Sequence, residues 1–385
     1  MKTVFCVNGK FSAFDYCKYL NKKNASLHLI TTYPYWHLKN YGLKTSQTTS
    51  FIWLELVKRV NQKIFLDQGL FLIGNLIDNL THVIFDYLCS KKLKKLKFDK
   101  LIIFSGSAEK SLLVAKIFKA KSFLIRGSSH ILYAKKILEL ESKKCNVTIH
   151  TPNKNLIRRE INEYKIADKI IVHSKFAFKS FLENGFLKNK VLVLPLGVDR
   201  LLKSNFSKKK KIHKQILYLG QVSIRKGVHH LLKIFDQMNI ADITLVIAGP
   251  VQKEMVNILK KYDKNKNIKI LGRVGYKEKL NLFKSSNIFC LPTLEDGFAK
   301  VLLEAAEYGN YLLCSKFSAG PDIISKNKDL GAVFDPRNHS EFKKKLISSI
   351  RYIKKNNTIK FTENINNKYN WGVVTDQLYK ILNNK

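Results

Sequence analysis

A strand, an acidic turn with a glycine and a helix follow one another near residue 300, and this unit constrains the fold most. Residues 287–291 form a short apolar run that stops at Pro292, and residues 301–308 have the apolar spacing of a helix. The turn between them reads L-E-D-G-F-A-K. Open parallel sheets bind ligands where a strand ends and a helix begins. The unit therefore predicts a parallel α/β sheet with a ligand site at this turn.

The side chains of this turn indicate the kind of ligand. Gly297 frees the backbone, and the first N–H groups of the following helix favour an anion such as a phosphate. Asp296 and Glu304 are eight residues apart, and a carboxylate accepts hydrogen bonds from two neighbouring hydroxyls. The turn predicts a ligand with phosphate and hydroxyl groups.

Short apolar runs alternate with helical segments along the chain, which predicts doubly wound parallel sheets. A chain of 385 residues is too long for one ordinary core, so we expect two or three domains. Residues 201–215, with four consecutive lysines, have the composition of an exposed linker. We place the domain boundary near residue 200.

Charge and cysteine content narrow the functional classes. The net charge of +40 fits either solvated lysine-rich faces or attraction to anionic lipid head groups, while no zinc-finger, helix-turn-helix or aromatic RNA-binding pattern favours nucleic acid. No apolar run reaches the roughly 20 residues of a membrane span. The six scattered cysteines predict reduced thiols. We expect a cytoplasmic protein, with peripheral contact to the inner face of the cell membrane as an option.

Two further loops carry charged groups beside glycines. Arg225 and Lys226 precede Gly227 after an apolar run, and such cations suit a diphosphate. The string R-G-S-S-H at residues 126–130 also follows a predicted strand and offers groups for phosphate or sugar. Gly9, after the first strand, fits either the ligand edge of the sheet or a plain tight turn.

Residues 51–88 predict one or two amphipathic helices. Apolar residues from Ile73 to Leu88 are spaced for one stripe, which we expect to be buried. The first helix carries Trp53 and Leu56 beside Lys58 and Arg59, so it is also a candidate for a membrane-facing or acceptor-facing surface.

Several of these motifs resemble those of glycosyltransferase family 4, the retaining sugar-transfer enzymes with the GT-B fold. The spacing of Asp296 and Glu304 is similar to its E-x7-E signature, with aspartate at the first position. Residues 220–227 resemble its G-R-x-x-x-x-K-G element, with Gln221 replacing the arginine. The R-G-S-S-H loop and the P-x-G-V-D string at residues 195–199 are also similar, so the resemblance covers nearly the whole chain.

The resemblance implies a role for each matching residue. The first acid, Asp296 or alternatively Glu295, contacts the donor sugar, and the second acid, Glu304, holds the ribose hydroxyls. The cations Arg225 and Lys226 stabilise the departing diphosphate without a metal or cofactor. Implied catalytic residues are His130, Arg225, Lys226 and Asp296. Implied donor-binding residues are Gly9, Arg126, Gly127, Arg273, Val274, Glu295, Gly297, Phe298, Ala299, Lys300, Val301 and Glu304.

The sequence thus predicts two Rossmann-like domains of the GT-B type, residues 1–200 on the acceptor side and 201–368 for the nucleotide sugar. The resemblance also implies that a last helix, residues 369–385, crosses back to the first domain. The expected activity is retaining sugar transfer to a sugar, lipid-linked or other hydroxyl acceptor, in cell-surface polysaccharide or lipopolysaccharide biosynthesis. Alternative enzymes on the same fold are a sugar-phosphate synthase and a phosphorylase. An inactive GT-B scaffold is another alternative, because Gln221 and Asp296 depart from the family pattern. The last alternative is a basic nucleic-acid binder.

Overall fold

Two parallel sheets, each flanked by helices, make up the protein in a computed structural model. The structure describes residues 2–23, 26–199, 214–240, 242–325, 327–356 and 368–383. The predicted linker at residues 201–215 and its lysine run lie almost entirely outside the described residues. All six cysteines are free thiols, and five of them are buried.

The first sheet has seven strands in the order β3-β2-β1-β4-β5-β6-β7. Its strands are β1 (Lys2–Val7), β2 (Ser26–Thr31), β3 (Thr48–Ser50), β4 (Lys100–Phe104), β5 (Lys121–Arg126), β6 (Lys169–Val172) and β7 (Val191–Val193). The helices between them are α1 (Ala13–Asn21), α2 (Tyr35–Leu38), α3 (Ile52–Asn61), α4 (Phe71–Leu93), α5 (Glu109–Ile117), α6 (Ile131–Cys145), α7 (Lys154–Ile166) and α8 (Lys175–Leu182).

The second sheet has six strands in the order β10-β9-β8-β11-β12-β13. They are β8 (Gln215–Leu219), β9 (Thr244–Ala248), β10 (Ile268–Gly272), β11 (Ile288–Leu291), β12 (Tyr311–Ser315) and β13 (Gly331–Phe334). The accompanying helices are α9 (Val228–Met238), α10 (Val256–Lys260), α11 (Tyr276–Ser285), α12 (Val301–Glu307), α13 (Gly320–Ile324) and α14 (His339–Lys355); the last helix is α15 (Trp371–Asn383).

The strand order reverses once in each sheet, between β1 and β4 and between β8 and β11. Connections leave these two neighbouring strands in opposite directions, so a crevice opens beyond their carboxyl ends. In the second sheet this crevice is bounded by residues 220–227 after β8 and residues 292–300 after β11. The topology therefore explains why the two charged loops meet.

Helix α15 packs against the first domain. The ring of Trp371 lies edge-on against Tyr16 of α1, with ring centroids 5.2 Å apart, and both side chains are buried. At Gly197 a Cβ atom would lie 2.5 Å from the Trp371 ring and 2.8 Å from its Cα, so only glycine allows this approach. The passage between the domains is thus fixed by a tryptophan from the end of the chain.

Helix α4 differs from its predicted orientation. Its buried residues include Gly74, Thr81, Phe85 and Cys89, whereas the predicted stripe points largely outward. Ile73, Leu76, Leu80, Val83 and Tyr87 are all exposed. The prediction of a buried stripe was wrong because α4 is apolar on more than one face, and the periodicity alone does not select the packed face. No helix in the described residues is long and apolar enough to cross a membrane.

Three buried histidines make stability dependent on pH. Burial lowers the pKa of His28, His130 and His173 to about 4 each, compared with 6.5 for a free side chain. The folded protein keeps these imidazoles neutral, whereas the unfolded chain takes up protons below pH 6.5. Their contribution is therefore complete above pH 6.5 and is lost as the pH falls toward 4.

We expect the free energy of unfolding to fall by up to about 1.4 kcal/mol per pH unit for each of these groups within that window. Urea denaturation at pH 7.5, 6.0 and 5.0 measures the slope. In His173→Gln the slope is expected to decrease by up to about 1.4 kcal/mol per pH unit, because one titrating group is removed. A free energy of unfolding that is constant across this window would contradict the assignment.

Candidate active site

The loops after β8 and β11 hold each other in place at the carboxyl edge of the second sheet. The backbone carbonyl of Arg225 accepts hydrogen bonds from the Leu294 amide at 3.0 Å and the Thr293 hydroxyl at 3.3 Å. Gly227 has a φ of +68°, and a Cβ atom there would lie 1.9 Å from the Pro292 carbonyl oxygen. Glycine before α9 is therefore required for the two loops to pack.

Lys226 and Asp296 form an ion pair between these loops. Burial lowers the pKa of Lys226, while the Asp296 carboxylate counteracts part of that effect. The other carboxylate oxygen of Asp296 accepts a hydrogen bond from the Phe298 amide at 3.1 Å. Asp296 therefore orients the lysine and also occupies one of the amides predicted to hold the donor.

Glu295 joins the two domains. Its side chain is 1% exposed, and Oε1 accepts hydrogen bonds from Ser128 and from both the amide and the hydroxyl of Ser129, the latter two at 2.8 Å. The guanidinium of Arg225 lies 3.1 Å from Oε2. Burial alone would raise the pKa, but Arg225 and the two serines lower the pKa of Glu295 to about 2.

The first domain approaches this turn through its R-G-S-S-H loop. A Cβ atom on Gly297 would lie 2.0 Å from the Gly127 carbonyl oxygen and 3.0 Å from the Ser128 Cα, so backbone packs directly on backbone between the domains. Arg126 is held by Glu160 of α7 at 2.8 Å and by the Ser129 carbonyl at 3.1 Å. The structure thus brings together Arg126, Gly127, Arg225, Lys226, Glu295, Asp296 and Gly297.

A cleft of about 470 Å³ opens beside this contact. The first domain lines it with Arg126 and Ser128, and the second with Gln221, Arg225 and Glu295. Cationic and carboxylate groups therefore face one cavity between the two sheets. A smaller cavity of about 320 Å³ in the first domain is bordered by Asn8, Phe11, Lys58 and His82, among others, next to Gly9.

His130, predicted to contact the substrate, has its side chain in an aromatic cluster of the first domain. Its imidazole is buried among the rings of Tyr164, Phe181 and Phe186, at centroid distances of 4.9–5.6 Å. Its Nδ1 accepts a hydrogen bond from the Leu132 amide, so the ring caps α6. Aromatic residues from α7 to the loop after α8 draw the ring into the domain and away from the cleft.

The other predicted donor-binding residues lie in different parts of the structure. Glu304 of α12 pairs with Lys279 of α11 at 2.7 Å, and Arg273 and Val274 belong to the loop that leads into α11. Lys300 instead points to the first domain: its ammonium lies 3.6 Å from Asp15 and 4.8 Å from the centre of the Trp371 ring. Phe298 and Val301 pack on the second core rather than lining the cleft.

Sequence reasoning missed the role of the serines. It assigned Ser128 and Ser129 to phosphate or sugar, whereas both hydrogen-bond Glu295. It also missed a cluster of Glu141 with His229 and His230 between α6 and α9. The adjacent histidines at the start of a predicted helix were a visible signal, but their carboxylate partner lies 88 residues earlier in the chain.

Ala299 has a left-handed backbone conformation, with φ of +58°. A Cβ atom destabilises this conformation by roughly 1–2 kcal/mol, so Ala299→Gly is expected to raise the free energy of unfolding by about 0.5–1 kcal/mol after the greater flexibility of unfolded glycine is subtracted. Ala306→Gly within α12 is the matched control, expected to lower it by about 1 kcal/mol. Urea denaturation distinguishes the two, and a loss of stability in Ala299→Gly would contradict this explanation.

Two doubly wound domains with a cleft between them are the architecture of the GT-B fold. Residues 199–365 match the family model of the glycosyl transferases group 1.

Individual proteins are similar to this chain over a larger part of its length. A 41.2 kDa protein in the cps region of Klebsiella pneumoniae is 23% identical over 246 residues, which are 61% of this chain and 65%, just under two thirds, of that protein. The structure of the lipopolysaccharide outer core galactosyltransferase WaaB superposes with a TM-score of 0.67 at 14% identity, covering 99% of this chain and 98% of that one. Anabaena HepE, solved in complex with UDP and glucose, gives 0.66 at 14% identity and covers 99% of each chain. The two structures establish the shared fold.

Proposed function

We propose that this protein transfers a sugar from a nucleotide-sugar donor to a hydroxyl acceptor, with retention of configuration at the anomeric carbon. One observation carries the proposal: at the strand-order reversal of the second sheet, Arg225 and Lys226 are paired with Glu295 and Asp296 beside the cleft. Two fixed cations at such a crevice suit a diphosphate, and neighbouring carboxylates suit sugar hydroxyls.

In the proposed reaction an acceptor hydroxyl oxygen forms a bond to the anomeric carbon as the bond to the diphosphate oxygen breaks. The electron pair of that bond leaves with the nucleoside diphosphate, and the hydroxyl proton is released. Arg225 and Lys226 stabilise the charge that develops on the leaving group, which is the step where fixed cations lower the barrier most. We propose that these cations replace a divalent metal at the diphosphate.

The donor orientation follows from the remaining residues. We propose that Glu304 accepts hydrogen bonds from the ribose hydroxyls, with Lys279 as its counter-ion in their absence. The loop at Arg273 and Val274 would then lie beside the base. The binding of UDP by HepE, which shares the fold, supports a nucleotide-sugar donor without fixing its base.

The biological role that we propose is assembly of cell-surface polysaccharide or lipopolysaccharide at the cytoplasmic face of the membrane. The Klebsiella relative comes from a cps region, and WaaB is a lipopolysaccharide outer core galactosyltransferase. Both relationships support this class of acceptor.

Donor turnover tests the activity. The protein is incubated with UDP-, GDP- and ADP-sugars, and the release of nucleoside diphosphate is followed together with the anomeric coupling constant of the sugar product by NMR. We expect release from one nucleotide class and a product with the donor's anomeric configuration. Inverted product would contradict retention, and donor binding without any release would favour the inactive scaffold.

The exposed apolar side chains of α3 and α4 support contact with an anionic membrane surface. Trp53 and Leu56 of α3 and Leu72, Leu76 and Leu80 of α4 are between 50% and 79% exposed. Gln62, Leu66 and Phe71 beside them border the cleft, and the whole chain carries a net charge of +40. We propose that this apolar face rests on anionic lipid, so that a lipid-linked acceptor reaches the cleft from the membrane.

Sedimentation with vesicles tests this surface. We expect retention on vesicles with anionic phosphatidylglycerol but not on neutral phosphatidylcholine, and a several-fold loss for the double variant Leu72→Ser, Leu76→Ser. Leu187→Ser is the control because Leu187 is similarly exposed, at 71%, on another part of the first domain. Equal retention of the double variant and the control would contradict the assignment of this face.

A further inference from the structure

A buried group of metal-binding side chains lies between the two domains, outside the proposed donor site. Glu141 belongs to α6 of the first domain, and His229 and His230 begin α9 of the second. They are 1%, 9% and 8% exposed, and one potential ligand atom from each lies within 4.8 Å of the others. Buried carboxylates and imidazoles in such a group need a partner that compensates their desolvation.

The separations within this group fit a shared ion better than direct hydrogen bonds. Oε2 of Glu141 lies 3.4 Å from Nε2 of His229 and 3.4 Å from Nε2 of His230. A strong N–H···O bond is roughly 2.7–3.2 Å long. By contrast, two ligands that each lie about 2.1 Å from a tetrahedral zinc ion are roughly 3.4 Å apart.

The other ring nitrogen of His230 also supports a shared ion. Its Nδ1 is 2.9 Å from Nε2 of His339 at the start of α14. When Nδ1 carries the proton in this contact, Nε2 directs a lone pair toward the Glu141 carboxylate. Within the described residues that Nε2 is buried and has no hydrogen-bond partner. A metal-bound histidine commonly has its other nitrogen held in this way, which fixes its tautomer.

The carboxylate is also arranged for a cation. Oε1 of Glu141 contacts the Lys144 ammonium at 3.3 Å, which leaves Oε2 for the histidines.

We propose that Glu141, His229 and His230 bind one divalent transition-metal ion of the zinc type, with His339 as a positioning residue. Two imidazoles and a carboxylate are a donor set that zinc accepts, with water as the fourth ligand. The ion would connect α6 of the first domain to α9 of the second, and α9 follows directly on the loop with Lys226. Its role is to fix the domains relative to each other, separate from the chemistry of transfer.

Metal binding to the full-length protein tests this site. Chelator-treated protein is titrated with Zn²⁺ by calorimetry and with Co²⁺ by visible absorption, and the melting temperature is measured with and without Zn²⁺. We expect one ion per chain, a tetrahedral cobalt spectrum and a higher melting temperature in Zn²⁺. His339→Gln is expected to weaken binding by about 10–100-fold, and Glu141→Gln and His230→Gln more.

Two controls separate this site from adventitious binding. His150→Gln removes an exposed histidine, and Cys145→Ser removes the one cysteine that is not fully buried; both are expected to keep the stoichiometric site. Circular dichroism without metal verifies that each variant folds. If His230→Gln does not fold, the test of the metal ligands rests on Glu141→Gln. Unchanged Zn²⁺ affinity in both ligand variants, loss of binding in Cys145→Ser alone, or no stoichiometric binding by the wild type would overturn the proposal.

Discussion

Lys226→Ala is expected to reduce kcat for sugar transfer by roughly 10²–10³-fold, the size of effect seen when one group that stabilises developing charge is removed. Lys226 is held in the cleft-side loop by Asp296, so its ammonium is already in position when the diphosphate departs. Its removal also leaves the Asp296 carboxylate without its cation, beside the diphosphate. Steady-state kinetics with the active donor measure the change.

Two variants at the same position separate charge from shape. Lys226→Gln keeps most of the side-chain length but no charge and is expected to be as slow as the alanine variant. Lys226→Arg keeps the charge with a different geometry and is expected to recover part of the rate. A rise in KM with unchanged kcat in Lys226→Ala would mean that the lysine binds the donor without assisting the reaction.

Glu295→Ala is expected to lower the free energy of unfolding by about 3 kcal/mol, since it removes a buried, ion-paired carboxylate. The carboxylate accepts three hydrogen bonds from Ser128 and Ser129 and pairs with Arg225. We place the effect at the low end of the range for buried pairs because Arg225 is 38% exposed and water can reach it.

Urea denaturation of a matched series tests this estimate. Glu295→Gln retains an oxygen that accepts hydrogen bonds from the serines, so it is expected to lower the free energy of unfolding less than Glu295→Ala does. Ser129→Ala is expected to lower it least of the three. Since the pKa of Glu295 is lowered to about 2, its contribution is complete above pH 4.5 and is lost as the pH falls toward 2. Equal stability of Glu295→Ala and wild type at pH 7 would contradict a role in joining the domains.

The part of the site that sequence could predict is the part set by local structure. Residues 225–226 and 295–296 each follow an apolar run that is a strand, and strand order then brings them together. The glycine turn at Gly227 could also be predicted, because a tight turn must precede α9.

The rest depends on contacts between distant segments. Glu295 meets Ser129 across 166 residues, and only the relative placement of the domains determines that contact. His130 occupies the end of a loop typical of a ligand site, yet aromatic rings from Tyr164 to Phe186 enclose it. For α4, apolar residues on more than one face left the choice of buried face to tertiary packing.

Thermal stability against a panel of UDP-, GDP- and ADP-sugars tests the central claim, that the crevice between β8 and β11 binds a nucleotide sugar. Wild type is compared with Lys226→Ala and Glu304→Ala. A ligand at a hundred times its dissociation constant stabilises by about 2.7 kcal/mol, which appears as a higher melting temperature. We predict that one nucleotide class stabilises the wild type and that both variants lose most of this shift. No shift of the wild type with any nucleotide sugar, or equal shifts in all three proteins, would contradict the claim.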